Sequence, residues 1–589
     1  MREPLSVGRY PAAVTEASEQ QRAEVGTHLG PPLGTPPPAR RPYEWLLWLL
    51  GGTVLAVLMT WPLVRSLRTA VPQDTGDPLG QAWFVAWGGH GLLSQPTRLF
   101  TGNVFWPAES SYAHSDSLFG YAPAAWFGEG VTAAVIRYDL VFLLAYALAF
   151  AAAGLLAREL GCHPAAAAVT AVAFAWAPWK MTHNGHLNVV STAGVALALF
   201  LLVSGYRRGR AWQVVSGWAA AAWQMTLGFA LGIWFAYFLL VLALISVAVW
   251  LRRRRPPLPR WLIASTVGGG LLYTAVTLFM VRPYLEIVAN DPAALRDRSQ
   301  LEFFSAPVRG LLAAGAESRA WGSATATIRE TLPWAPEQVL FPGVCAVLLA
   351  AVGIRWRGAT RGLRIGLVVA TGFTVLLSFG LRLWGGALYE PFLLLPGWEG
   401  LRTTGRLAFL WSLGLALLAG FGAQRMRDAL RTSEFLRARP GGSSGAVATA
   451  ALVVVTGLAA YEGAPRLPIA TVPQPPAALA DAVGPRFHLP SDELSDTAYM
   501  LWSTDGFVPI ANGGASYTPQ RLRDLRAQTA GFPDPASLQA LRDYGIETVV
   551  VHRDRLPGTP WDGAADRPVD GLGITRDDRG DVVLFDLTP

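Results

Sequence analysis

Lysine is almost missing from this chain: Lys180 is the only one in 589 residues, so the 48 basic residues are otherwise arginines. Charge of either sign is also scarce, at 15% of residues, which a soluble multidomain protein seldom tolerates. Cysteine is confined to Cys162 and Cys345, too few for a disulfide framework and placed where pairing is not expected. No Walker loop, Rossmann glycine fingerprint, HExxH or nucleophile elbow occurs in a credible context, which argues against an ATP-driven pump or an enzyme of soluble nucleotides. Residues 1–42 lack an apolar h-region near the start. Their polar, Pro- and Gly-rich composition reads as a disordered cytoplasmic tail before an uncleaved first span.

What the chain has instead is apolar bulk. Hydrophobic residues make up 52%, there are 23 tryptophans, and mean hydropathy is +0.32. Runs such as WLLWLLGGTVLAVLMTWPLV and IWFAYFLLVLALISVAVWL reach the roughly 20 residues a spanning helix needs. Together with weaker segments they give about eleven spans, near 45–64, 139–157, 165–181, 187–204, 211–227, 229–251, 261–281, 337–354, 363–381, 405–422 and 446–462. The expected fold class is therefore mainly α, a polytopic transmembrane helical bundle.

Arginine sets its orientation. Arg40 and Arg41, Arg207 with Arg208 and Arg210, Arg252 to Arg255, Arg355 with Arg357, Arg361 and Arg364, and the stretch QRMRDALRTSEFLRARP all fall on one side if the N-terminus is cytoplasmic. An odd span count then puts the C-terminal region outside, in a multi-pass protein of the inner (plasma) membrane. The net charge of +7 reports this topology and contact with anionic membrane lipids, not nucleic-acid binding.

Three external loops follow, 65–138, 282–336 and 382–404. In the first, PLGQAWFVAWGGHGLL has helical spacing, and Trp83 and Trp87 are expected at headgroup depth on an interfacial helix. LFGYAPAAWFGEGVTAAVI, broken by Pro123, Gly128 and Gly130, reads as a second interfacial or re-entrant stretch. The transmembrane module spans 43–463. From 464 to 589 hydropathy falls, and ALRDYGIETVVVHRD (helix, Gly turn, buried strand) with DVVLFDL (closing strand) predicts a small α/β extracytoplasmic domain.

The candidate site residues lie in the external loops. Asp74 and Asp77, in DTGDP about ten residues past the first span, place carboxylates at a membrane face, where an enzyme of a lipid-borne substrate needs an acid or base. Asp77 before Pro78 also reads as a helix N-cap, and Asp74 as a turn residue. Glu109, His114 and Asp116 are close enough in sequence to join the same site, or are solvated loop polarity. His183 and His186, three apart in WKMTHNGHLN, would share a helical face able to hold a metal or a phosphate, or form an interfacial turn. Lys180 beside them can meet a lipid phosphate. Arg402 and Arg406, at i and i+4, form either a fork for a phosphate or a snorkelling pair.

DTGDPLGQAWFVAW, THNGHLN, GLRTTGRL and LRDYGIETVVVHRD, in a chain with an acidic first external loop, many spans and a C-terminal external domain, resemble the C-type (GT-C) superfamily of integral-membrane glycosyltransferases. The resemblance covers the chain after about residue 43. It implies transfer of a sugar from a polyprenyl-phosphate donor to an envelope glycan, lipid or protein acceptor on the outer face. It further implies that Asp77, with Asp74 as its substitute, is the catalytic base or helps bind a metal. Arg402, Arg406 and then Lys180 are the candidates for the donor phosphate. Relatives differ in whether they use a divalent metal, and the sequence supplies no decisive ligand set. Two other classes compete. A flippase for a lipid-linked saccharide would place polar residues or broken helices at the midplane, ideally in repeated halves. A non-catalytic envelope scaffold would keep the architecture and bind a glycan.

Overall fold

A computed structural model describes residues 42–252, 257–295, 297–434 and 444–588. The tail expected over 1–42, except Pro42, lies outside the described residues, as do Arg40, Arg41, Arg253 to Arg255 and residues 435–443. The helices that build the molecule are α1 (Glu44–Met59), α2 (Asp77–Ser94), α3 (Gly130–Glu159), α4 (Pro164–Ala175), α5 (Ala193–Arg208), α6 (Ala211–Leu227), α7 (Phe229–Arg252), α8 (Arg260–Asn290), α9 (Ala335–Gln338), α10 (Val344–Gly353), α11 (Arg361–Ser378), α12 (Ala408–Thr432), α13 (Ser444–Glu462), α14 (Ser495–Trp502) and α15 (Pro535–Tyr544). Among the described residues, seven helical segments are long and apolar enough to cross a membrane, and α1, α4 and α10 are shorter apolar helices. The chain is a multi-pass membrane protein.

Burial separates central helices from peripheral ones. α3 and α12 are enclosed along most of their length, whereas α8, α11 and α13 turn most of their apolar surface outward, as lipid-facing helices do. With no hydrophobic drive between helices in lipid, close backbone approach takes its place. A Cβ on Gly353 of α10 would stand 1.9 Å from the Leu418 carbonyl, and one on Gly422 of α12 would stand 1.9 Å from the Leu349 carbonyl. The crossing of α10 and α12 therefore requires glycine on both helices.

The arginine clusters converge on one end of the bundle. Arg158, at the foot of α3, pairs with Glu44 at the start of α1 at 2.6 Å. Arg208 pairs with Glu159 at 3.0 Å, Arg364 donates to the Ile354 carbonyl at 2.7 Å, and Trp356 donates to Asp428 at 3.2 Å. Following each helix away from these contacts leads to the opposite end, where residues 60–129, 178–192, 291–343 and 379–407 gather with the C-terminal region.

Several boundaries differ from the sequence expectations. The helix expected at 139–157 begins at Gly130, so the second half of the stretch expected to be interfacial is simply the first turns of α3; residues Phe119–Trp126 form a 3-10 helix. The span expected at 187–204 is broken at Ser191 and Thr192. The spans expected at 165–181 and 337–354 shorten to Pro164–Ala175 and Val344–Gly353, which leaves Lys180 and Glu337 in connecting segments outside these helices.

Trp83 and Trp87 face protein rather than lipid. Trp83 is fully buried and Trp87 nearly so. Their indole N–H groups donate to Asn103 Oδ1 and the Leu99 carbonyl, each at 2.9 Å, and the two rings stack at 5.9 Å. The C-terminal region explains the burial: α14 packs on α2, and the Thr497 hydroxyl reaches the Thr75 carbonyl at 3.2 Å. Helical spacing reveals an apolar face, but it does not say whether lipid or protein covers it.

That region holds a four-stranded sheet ordered β3 (Arg486–Leu489), β4 (Thr548–His552), β6 (Val582–Asp586), β5 (Thr575–Asp578), with β3 and β4 parallel and the other pairs antiparallel. The expected helix, turn and buried strand are α15, Gly545 at a left-handed φ of 89° and β4, whose five residues are all buried. Two further strands tie the region to the first loop. β1 (Ala70–Pro72) pairs antiparallel with β2 (Ile469–Thr471), register Val71 to Ala470.

Candidate functional site

The β1–β2 pair fixes the chain just before Asp74, whose Oδ1 accepts the Gly76 N–H at 2.8 Å in a side-chain-closed turn. Gly76 occupies the N-cap position of α2 and makes no side-chain cap; Asp77 is the first helical residue and Pro78 the second. Asp77 is therefore not the cap that the Asp-Pro pattern suggests. Its Oδ2 instead lies 2.8 Å from His186 Nε2. One turn on, Gln81 Oε1 accepts the Leu187 N–H at 2.6 Å, clamping the His186 segment onto α2.

A second pair stands behind the first. Glu337, on the short helix α9, is gripped by both sides of the Arg406 guanidinium, Nε to Oε2 at 3.0 Å and Nη2 to Oε1. α9 itself is held by Gln338, whose Nε2 donates to the Phe303 carbonyl at 2.7 Å. His183 Nε2 lies 4.0 Å from Glu337 Oε2, and the His183 and His186 rings meet edge to face at 5.5 Å. The chain of groups thus runs Arg406, Glu337, His183, His186, Asp77.

The electrostatics follow from that order. Burial disfavours the Asp77 carboxylate, but the His186 hydrogen bond and charge, with Arg406 beyond, hold its pKa below the ordinary value. Burial likewise opposes Glu337, and the Arg406 charge and hydrogen bonds hold its carboxyl well below the usual range. Burial pushes His183 down to about 3, leaving it neutral at physiological pH. Asp77 is enclosed by protein yet its side chain is 60% accessible, because it faces the interior of a cavity of about 1050 Å³. Asp74, His186 and Glu337 line the same cavity with Glu317, Arg329 and Trp334 of the second loop and Ser495 and Arg555 of the C-terminal region.

The other expected residues lie elsewhere. None of Arg402, Arg406 and Lys180 lines the cavity. Arg406 is committed to Glu337, and Arg402 stacks 4.8 Å over Phe304. Lys180 is buried and donates to Thr192 at 2.8 Å; burial pushes its pKa down to about 7. Glu109 is exposed. His114 is buried between Phe105 and Tyr517, and burial pushes it down to about 3. Asp116 accepts from Asn188 and from the Phe229 N–H. His183 and His186 face different carboxylates, and no group of three or more His, Cys, Asp or Glu side chains among the described residues is arranged to hold a metal ion.

Sequence reasoning missed Glu337, Arg329, Arg555 and Gln81. Glu337 left a readable signal, a lone carboxylate at the edge of an expected span. Arg555 follows strand β4 and left none.

No protein-family model matches the chain. No curated protein is significantly similar to it. Among solved structures, it is similar to the mycobacterial arabinofuranosyltransferase AftD at 15% identity and a TM-score of 0.53, over 94% of this chain and 40% of that one. The chain therefore spans two-fifths of that protein's length. It is also similar to the Archaeoglobus fulgidus oligosaccharyltransferase tethered to an acceptor peptide (13% identity, TM-score 0.45, 87% of this chain and 70% of that one). A third similar structure is ArnT from Cupriavidus metallidurans bound to undecaprenyl phosphate (13%, 0.28, 93% and 99%). The AftD match shows that this chain shares the fold of that structure over most of its own length.

Proposed function

We propose that this protein transfers a sugar from a polyprenyl-phosphate-linked donor to a cell-envelope acceptor on the outer face of the membrane, with Asp77 as the base or acceptor-orienting group. The observation that carries the reading is the Asp77–His186 contact of 2.8 Å on the wall of a 1050 Å³ cavity, at the end of the bundle opposite the arginine clusters. A cavity at the upper end of the usual pocket range has room for a donor headgroup and an acceptor together.

The chemistry is a single displacement. The Asp77 oxygen not engaged by His186 takes the proton of an acceptor hydroxyl, and the acceptor oxygen attacks the anomeric carbon. The bond from carbon to the lipid phosphate oxygen breaks, the phosphate leaves with the electron pair, and the anomeric configuration inverts. His186 keeps Asp77 charged before the acceptor arrives, so the base is ready at neutral pH. Arg406 keeps Glu337 charged, and Glu337 in turn supports the histidine pair.

The test uses membranes containing the protein, an envelope extract as acceptor source and a polyprenyl-phosphate sugar. Wild type is expected to transfer label, and the Asp74→Asn/Asp77→Asn double variant to lose transfer while folding normally. Undiminished transfer by the double variant removes the reading.

A further inference from the structure

The cavity is lined by four carboxylates, Asp74, Asp77, Glu317 and Glu337, and a phosphate cannot sit among them without cations of its own. Arg406 and His186 are spent on Glu337 and Asp77. The arginines that line the cavity are Arg329 and Arg555, and neither has a carboxylate within ion-pair distance among the described residues.

Both are nonetheless held in place. Arg329 donates from Nη1 to the Ala314 and Gly322 carbonyls, at 3.0 and 2.8 Å, which fixes its guanidinium and leaves its other nitrogens unspent on these bonds. Arg555 lies over the rings of Trp502 and Tyr499, at 4.9 and 5.5 Å. Two residues earlier, Arg553 pairs with Asp566 and Asp578 at 2.6 and 2.5 Å. The same loop thus neutralises one arginine and leaves the next facing the cavity. Rings over the guanidinium's face leave its edge, the side that grips an oxyanion bidentately, for a ligand.

We propose that Arg329 and Arg555 form a phosphoryl-oxyanion subsite of this cavity, completed by the C-terminal region. The subsite rests on the glycosyltransferase reading only for where the phosphoryl group comes from: the donor's lipid phosphate or an anionic group on the acceptor.

The experiment measures binding of undecaprenyl phosphate, with undecaprenol as the uncharged control, to the full chain in nanodiscs. Arg329→Gln, Arg555→Gln and Arg555→Lys are compared with wild type and with Arg357→Gln at the far end of the bundle. Each cavity Gln variant is expected to weaken lipid-phosphate binding by roughly 10- to 100-fold at unchanged melting temperature, with undecaprenol unaffected and Arg555→Lys intermediate. Unchanged lipid binding with a KM for acceptor raised by a similar factor assigns the subsite to the acceptor's anion. Wild-type behaviour in both assays overturns the proposal, as does equal loss of undecaprenol binding, which would mark an apolar contact. Asp77→Asn separates this from the proposed function: retained transfer in that variant refutes the base, whereas the binding result stands or falls on the arginines. If Arg555→Gln does not fold, Arg329→Gln and Arg555→Lys decide between the same outcomes.

Discussion

The Asp77 carboxylate sits where burial alone favours its neutral form, and the His186 hydrogen bond reverses that preference. In His186→Asn the largest lowering influences go and burial remains, opposed only by the more distant Arg406, so the Asp77 pKa rises. The ionised base is then lost at a higher pH as solution is acidified. The acid limb of the kcat/KM profile is expected to move upward, with activity near pH 5 falling more than activity near pH 8; an unmoved limb would show that Asp77 is not the titrating base. Glu337 and Arg406 make a second residue-scale case, since both are largely buried, at 6% and 14% side-chain exposure. Arg406→Gln strands a buried carboxylate and is expected to cost about 3–5 kcal/mol in thermal unfolding, with much of the loss recovered in Arg406→Gln/Glu337→Gln.

At the scale of elements, α2 is the test of whether the C-terminal region or lipid covers the tryptophan face. Trp83→Ala is expected to destabilise by about 3–5 kcal/mol because it empties a fully enclosed site. Trp126→Ala, at a position 47% exposed, should stay within about 1 kcal/mol. Equal effects would favour an interfacial α2. Hydropathy made most of the helices legible: α6 coincides with the expected 211–227, and each of the other expected spans overlaps a helix. Strand β4 was legible from its unbroken apolar run. Of the candidate site, Asp74, Asp77, His183, His186 and Arg406 were legible, singled out by chemistry and loop position. The partners were not, because Asp77 meets His186, and Glu337 meets Arg406 across 69 residues, through tertiary packing that periodicity does not encode. Arg406 read as a phosphate fork because its spacing from Arg402 was visible and its buried acidic partner was not.

For the whole molecule, the arginine clusters lie at one end of the bundle and the cavity at the other, so the membrane should separate them. With Cys162 and Cys345 replaced by alanine, a cysteine at exposed Asp554 should react with a membrane-impermeant maleimide added outside intact cells, and one at Arg357 only after lysis. The reverse pattern would put the site on the cytoplasmic face. The role of Asp77 on a lipid-linked sugar in this cavity is checked with purified protein in nanodiscs, given a panel of radiolabelled polyprenyl-phosphate hexoses and pentoses with membrane extract as acceptor source, and with Asp77→Asn beside wild type. Wild type is expected to transfer sugar from one donor, and Asp77→Asn to lose roughly 100-fold or more of that activity at unchanged lipid binding. Transfer by both proteins at the same rate, or by neither with any donor, would contradict that role.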